Sequence, residues 1–207
     1  MRFKLTSVVF IFLLAVQVAC AQPRQSQKQQ EAGIPGPPAP EKSTEKVEDV
    51  SAQVDKSRVK KQAQEMTDAF IAGDFEKMAD LTYPDLVYLL GGKDKMVAGL
   101  KKEAGGWSAQ GFRILAMPVD EPKRVIKSRD YLLTVVPVKM RMKMPDGVYV
   151  QQTSYIGASQ DGGRNWTFVD ARGGDKQKLK ILFAMIPSAI DELELPSETP
   201  PVRESDQ

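Results

Sequence analysis

Hydrophobic and polar positions change their period midway along the chain. Val59, Ala63, Met66 and Phe70 fall at i, i+4, i+7 and i+11, one face of a 3.6-residue repeat, while Lys60, Lys61, Gln64, Glu65 and Asp68 fill most of the rest. That spacing predicts an amphipathic helix, ended by Gly73 because glycine takes the left-handed conformation of a helix stop without strain. A short second helix is expected over residues 75–81, since Tyr83 precedes Pro84 and a residue before proline avoids the helical region. Beyond Gly91-Gly92, Asp94 is placed to cap a third helix running to about Glu103, with Gly105-Gly106 closing it.

From Phe112 onward the repeat becomes 2. Residues 112–118 read as a first strand. Val136, Val138, Met140, Met142 and Met144 then alternate with Pro137, Lys139, Arg141 and Lys143, which predicts a strand with one apolar and one charged face. Pro137 has no N–H to give a ladder, so a bulge or an unpaired edge is expected there. Asp146-Gly147 marks a turn into a returning strand over 148–158, and Asp161-Gly162-Gly163 a second turn into residues 166–170. Helices first and an antiparallel meander afterwards predict an α+β fold. The N-terminal helices should pack in a strongly curved antiparallel sheet, cone-shaped and open at one end, over residues 55–195.

The flanks carry other signals. Two positive charges in residues 1–4, an almost wholly apolar run over 5–16 and Ala19-Cys20-Ala21 ahead of Gln22 form a three-part signal peptide, residues 1–21. The run is too short for a spanning helix, which needs about 20 apolar residues. Bacterial export, to the periplasm or beyond, is the expectation. Cys20 leaves two outcomes open: ordinary cleavage after Ala21, or lipidation of Cys20 and anchoring to a membrane. Bacterial lipoproteins usually carry Leu three residues before that cysteine, and here the residue is Gln17. Residues 22–54 are rich in Gln, Pro, Glu and Lys, too poor in apolar surface to offset the entropy of ordering, and read as a disordered linker stiffened by PGPPAP. Its role is a spacer or a proline-rich docking ligand. Residues 196–207 read as a second disordered tail.

Composition narrows the chemistry. Hydrophobic residues are 42% of the chain, enough for a packed core. Removing Arg2 and Lys4 with the signal leaves 27 basic residues against 27 acidic ones, which gives no electrostatic case for nucleic acid, and membrane contact follows only from a lipidated Cys20. Histidine is absent and Cys20 is the single cysteine. Histidine-assisted triads, histidine-ligated zinc or haem and an internal disulfide are therefore excluded, and neither metal nor cofactor is expected. Carboxylate, lysine or tyrosine chemistry remains, or binding without chemistry.

The order of elements, with AFIAGDFEKMADLTYPDLV over residues 69–87, resembles the nuclear transport factor 2-like superfamily. This cystatin-like cone includes SnoaL-type polyketide cyclases and ketosteroid isomerase, and the likeness covers most of residues 55–185. Such cones divide between enzymes and non-catalytic binding or dimerisation modules, so the resemblance implies a fold and leaves function open. It implies, for an enzyme, a carboxylate pointing into the cone with help from a tyrosine or a second acid. The candidates by position are Asp130 with Tyr131 at a strand start and Asp170 at a strand end. The aspartate–histidine dyads of the cyclase branch cannot form here. A homodimer is also implied, although the row Lys139, Arg141, Lys143 argues against burying that outer face.

Two further features bear on function. Ser159, Asp161, Gly163 and Trp166 resemble an Asp-box, the S-x-D-x-G-x-x-W hairpin of sialidases and related propellers. One copy reads either as a structural lock, with Asp161 accepting backbone N–H groups and Trp166 as a plug, or as part of a glycan binder. Aromatic residues able to line a pocket are Tyr83 and Tyr88 at its mouth, Trp107 on a loop after Gly105-Gly106, and Tyr149, Tyr155 and Phe168. The leading expectation is an exported, non-catalytic protein that holds an apolar or amphipathic small molecule or an envelope protein. An envelope isomerase, cyclase or hydrolase and a glycan-binding module are the alternatives.

Overall fold

The computed structural model describes residues 46–172, 175–196 and 199–204. The expected signal peptide, Cys20 and the linker up to residue 45 lie outside the described residues. Within them, six helices accompany an open antiparallel sheet of seven strands. The strands are β1 (Val47–Asp49), β2 (Arg113–Ala116), β3 (Val125–Ser128), β4 (Tyr131–Met144), β5 (Gly147–Ser159), β6 (Thr167–Asp170) and β7 (Val202–Arg203). Their order is β1-β3-β4-β5-β6, with β2 also paired to β4 and β7 to β5. The helices are α1 (Lys56–Ala72), α2 (Phe75–Asp80), α3 (Pro84–Leu89), α4 (Lys93–Ala109), α5 (Lys176–Leu182) and α6 (Pro187–Glu192). Among the described residues no helix is long and apolar enough to cross a membrane.

Helix α1 follows its pattern closely. The Asp55 carboxylate accepts the Arg58 N–H at 3.2 Å, and Val59, Ala63, Met66 and Phe70 are all buried. Gly73 stops the helix at φ 74°, donating to the Phe70 carbonyl while Asp74 donates to that of Ala69. The third expected helix differs. It is α4, preceded by the short α3, and it runs through Gly105-Gly106 to Ala109. Two helical glycines cost about 1 kcal/mol each relative to alanine. Burial of Met96, Val97 and Leu100, and edge-on packing of Trp107 against Phe70 and Phe112, outweigh that cost. The chain turns instead at Gly111, φ 75°. Pro84 likewise starts α3 rather than only ending α2, because its missing N–H costs nothing in a first turn.

The β4–β5 hairpin is the spine. Its register is unbroken from Leu132↔Ser159 to Met144↔Gly147. Pro137 stays in register opposite Ser154, which corrects the expected bulge or free edge. Its carbonyl accepts the Asp120 N–H at 2.9 Å, so this residue turns its edge to the 118–120 segment, between the stretches paired to β3 and β2. The bulge falls in β2, between Ile114 and Ala116.

Alternation along β4 divides the core. Leu133, with Tyr131 and Val135 beside it, packs against Phe183, Ile186 and Ile190 of the α5–α6 layer. The even-numbered face carries buried Val136, Val138, Met140 and Met142. Trp166 and Phe168 pack there beside Thr134, and Gln62 of α1 accepts the Trp166 N–H at 2.7 Å. Helices α5 and α6 were not among the expected elements. Neither were the two outer strands, and the expected disordered flanks need correction where they are described, at 46–54 and 199–204. β1 pairs with β3, and the buried Val50 donates to the Val125 carbonyl at 2.9 Å. At the other end β7 pairs with β5, and Glu204 closes on Arg141. An exposed strand edge offers a row of unpaired N–H and C=O groups, so a short segment with little apolar surface can still be held there.

Candidate functional site

Backbone stitching creates the site. Phe168 of β6 donates to the Leu81 carbonyl at 2.8 Å and accepts the Tyr83 N–H at 3.0 Å, which fixes the segment between α2 and α3 against the sheet. Tyr83 is thereby buried, its ring 4.5 Å from that of Phe183. Pro84 then restarts the helix, and α3 presents Asp85, Tyr88 and Leu89, spaced i, i+3, i+4 on one face. Helix α5 and the turn after it contribute residues 181–186, among them Ile181 and Met185, and Tyr131 at the start of β4 also lines the space. These residues enclose a pocket of about 170 Å³.

Its rim is apolar and open. Tyr88 is 82% exposed, Ile181 74%, Met185 60% and Leu89 56%, so four of the seven large hydrophobic side chains exposed among the described residues surround one pocket. Single exposed apolar side chains are ordinary; a contiguous group around a concavity marks a contact surface. The polar groups are few. Burial, and then its neighbours Tyr131 and Asp85, push the Tyr83 hydroxyl well above the ordinary tyrosine range. A hydroxyl so reluctant to ionise serves as a hydrogen-bond partner rather than a base.

The structure gathers some of the expected residues here and scatters others. Tyr83, Tyr88 and Tyr131 meet in the pocket. Asp130 does not: it is exposed in the two-residue turn between β3 and β4, beside Arg129 at φ 51°. The Asp170 carboxylate is clamped by the Arg172 guanidinium at 2.5 and 2.8 Å and takes the Arg172 backbone N–H at 2.9 Å, an ion pair more than a free base. Trp107 lies on α4 within an aromatic cluster, not on a loop. The Tyr149 hydroxyl donates to Asp146 at 2.7 Å across the β4–β5 turn, and this bond raises its pKa. Tyr155 is buried beside Phe168, and burial holds its hydroxyl protonated.

The Asp-box-like hairpin is closed by its own bonds. The Asp161 carboxylate accepts from the Ser159 hydroxyl at 2.9 Å, from the Arg164 and Asn165 backbone N–H groups at 3.0 Å each, and from the Asn165 amide at 2.7 Å. Ser159 in turn accepts the Gly163 N–H at 3.0 Å. Trp166 is 1% exposed and donates its indole N–H to the Gly163 carbonyl, so it presents no ring face to a sugar. On the charged row, Arg141 pairs with Glu204 at 2.6 Å, between exposed Lys139 and Lys143.

Sequence reasoning missed Asp85, Ile181 and Met185. In residues 179–186 the buried Leu179, Phe183 and Ile186 fall at i, i+4, i+7, which leaves Ile181 and Met185 on the outer side. That offset was the available signal. Glu103 was also missed. It interrupts the stripe Met96, Leu100, Trp107 on α4, and partial burial raises its pKa. No protein-family model matches the chain, and no curated protein or solved structure does.

Proposed function

We propose that this chain is an exported, non-catalytic binding protein that takes an apolar or amphipathic small molecule in the pocket between α3 and α5. One observation carries the reading: Tyr88, Leu89, Ile181 and Met185, all more than half exposed, surround the same 170 Å³ concavity. Export rests on the charged start, apolar run and small-residue site of residues 1–21. The likeness to the nuclear transport factor 2-like cone is supported by helices that precede a long antiparallel hairpin whose even-numbered face is buried. Binding is favoured over turnover because Asp130 stands in an exposed turn and Asp170 is engaged by Arg172.

The test uses Nile red, a neutral dye that fluoresces when it leaves water. Wild-type protein should enhance its emission saturably. Leu89→Asp and Ile181→Asp should each reduce that enhancement severalfold while leaving the thermal midpoint within about 2 °C, because both side chains already face solvent. Equal enhancement by wild type and both variants would remove the pocket as the binding site.

A further inference from the structure

The charge of the ligand follows from what lines the pocket. Of its eleven lining residues, Asp85 alone carries a charge. Among the described residues no salt bridge joins a basic side chain to it, and three lysines on the neighbouring elements are engaged elsewhere. Lys178 meets Asp175 at 3.6 Å, Lys180 meets Asp191 at 2.7 Å, and Lys93 meets Asp80 at 2.5 Å. The Asp85 carboxyl group therefore stands without a basic partner in an apolar, tyrosine-lined concavity. Tyrosine faces attract cations through the ring quadrupole, and Tyr88 and Tyr131 both line this space. An anion would meet Asp85 with no cation in the lining to offset it.

We infer that the pocket selects small amphipathic cations, an ammonium head near Asp85 and the tyrosines with an alkyl or aryl tail over Ile181 and Met185. This rests on the binding function proposed above. The volume suits one such head and a short tail, not a macromolecular segment.

Three probes of equal tail length separate the possibilities: hexyltrimethylammonium, hexane-1-sulfonate and 1-hexanol, each titrated against wild type, Asp85→Asn and Ile181→Asp by ligand-observed NMR. Wild type should bind the ammonium probe about tenfold more tightly than the sulfonate, the scale of one partly desolvated charge contact. Asp85→Asn should bring that ratio close to one. Comparable binding of ammonium and sulfonate to wild type, or a tenfold preference that survives Asp85→Asn, would overturn cation selection. In either case binding that Ile181→Asp abolishes would keep the pocket function intact. Failure of all three probes to bind wild type would remove both.

Discussion

Asp161 shows how one side chain fixes a turn. Its carboxylate takes two backbone N–H groups, one amide and one hydroxyl within a span of seven residues, and the Asn165 N–H heads the causes that bring its pKa down to about 2. A lowered carboxylate pKa means that the folded state prefers the ionised form. Its contribution is complete above the unfolded value, about 3.9, and is lost as pH falls through the folded value. Asp161→Ala removes those bonds and leaves donors to find water, at a cost of about 1–3 kcal/mol. Urea unfolding at pH 7 should show that deficit, and the gap between variant and wild type should narrow steadily from pH 4 towards pH 2. A gap that is constant with pH would mean that the lost atoms, not the charge, matter. Neighbouring Trp166, buried with its indole N–H bonded to Gly163, completes the lock.

At the scale of elements, the sequence was legible wherever period and burial agreed. The 3.6-residue stripe of α1 and the alternation of β4 both came through intact, because each buries one continuous face. Element ends were less legible. Glycine pairs at 105–106 and Pro84 read as stops, yet tertiary packing of Trp107 carries α4 across one, and a first-turn position accepts the other. The outer strands were invisible for a different reason: β1 and β7 are held by backbone pairing at sheet edges, and their side chains carry little pattern. Of the candidate site Tyr83, Tyr88 and Tyr131 were legible; Asp85 and Leu89 on α3 were not, and the rest lies on α5 and its turn, which no expected element included. The reading of α4 has a direct check. A methyl group added at Gly105 or Gly106 meets no atom within 4 Å, so alanine at either position should stabilise the protein by about 0.5–1 kcal/mol. Gly157→Ala should do the opposite, since its methyl would press on Phe168, Thr134 and Trp166 at 3.2–3.3 Å. Differential scanning calorimetry of the three variants tests both signs together.

Across the whole molecule, the odd-numbered face of β4 serves two ends. Tyr131, Leu133 and Val135 lie under α5 and α6, while Lys139, Arg141 and Lys143 stand clear of that layer with Glu204 closing on the middle residue. Charge therefore keeps one half of the face in water, and the apolar exposure collects where α3 meets α5. Core and contact surface are separated there by one side chain's direction. Phe183 is 1% exposed and stacks on Tyr83; Ile181 and Met185, two residues to either side, point outward. Replacing both outward residues by glutamate should leave the urea midpoint almost unchanged, because neither side chain loses a buried contact. Phe183→Ala should lower stability by about 3–5 kcal/mol through the cavity it opens beside Tyr83. A large loss in the double glutamate variant would assign Ile181 and Met185 to the core and leave the pocket without its apolar rim. The expected contrast is Nile red enhancement lost while folding is kept, and that outcome would assign those two side chains to ligand contact and not to the fold.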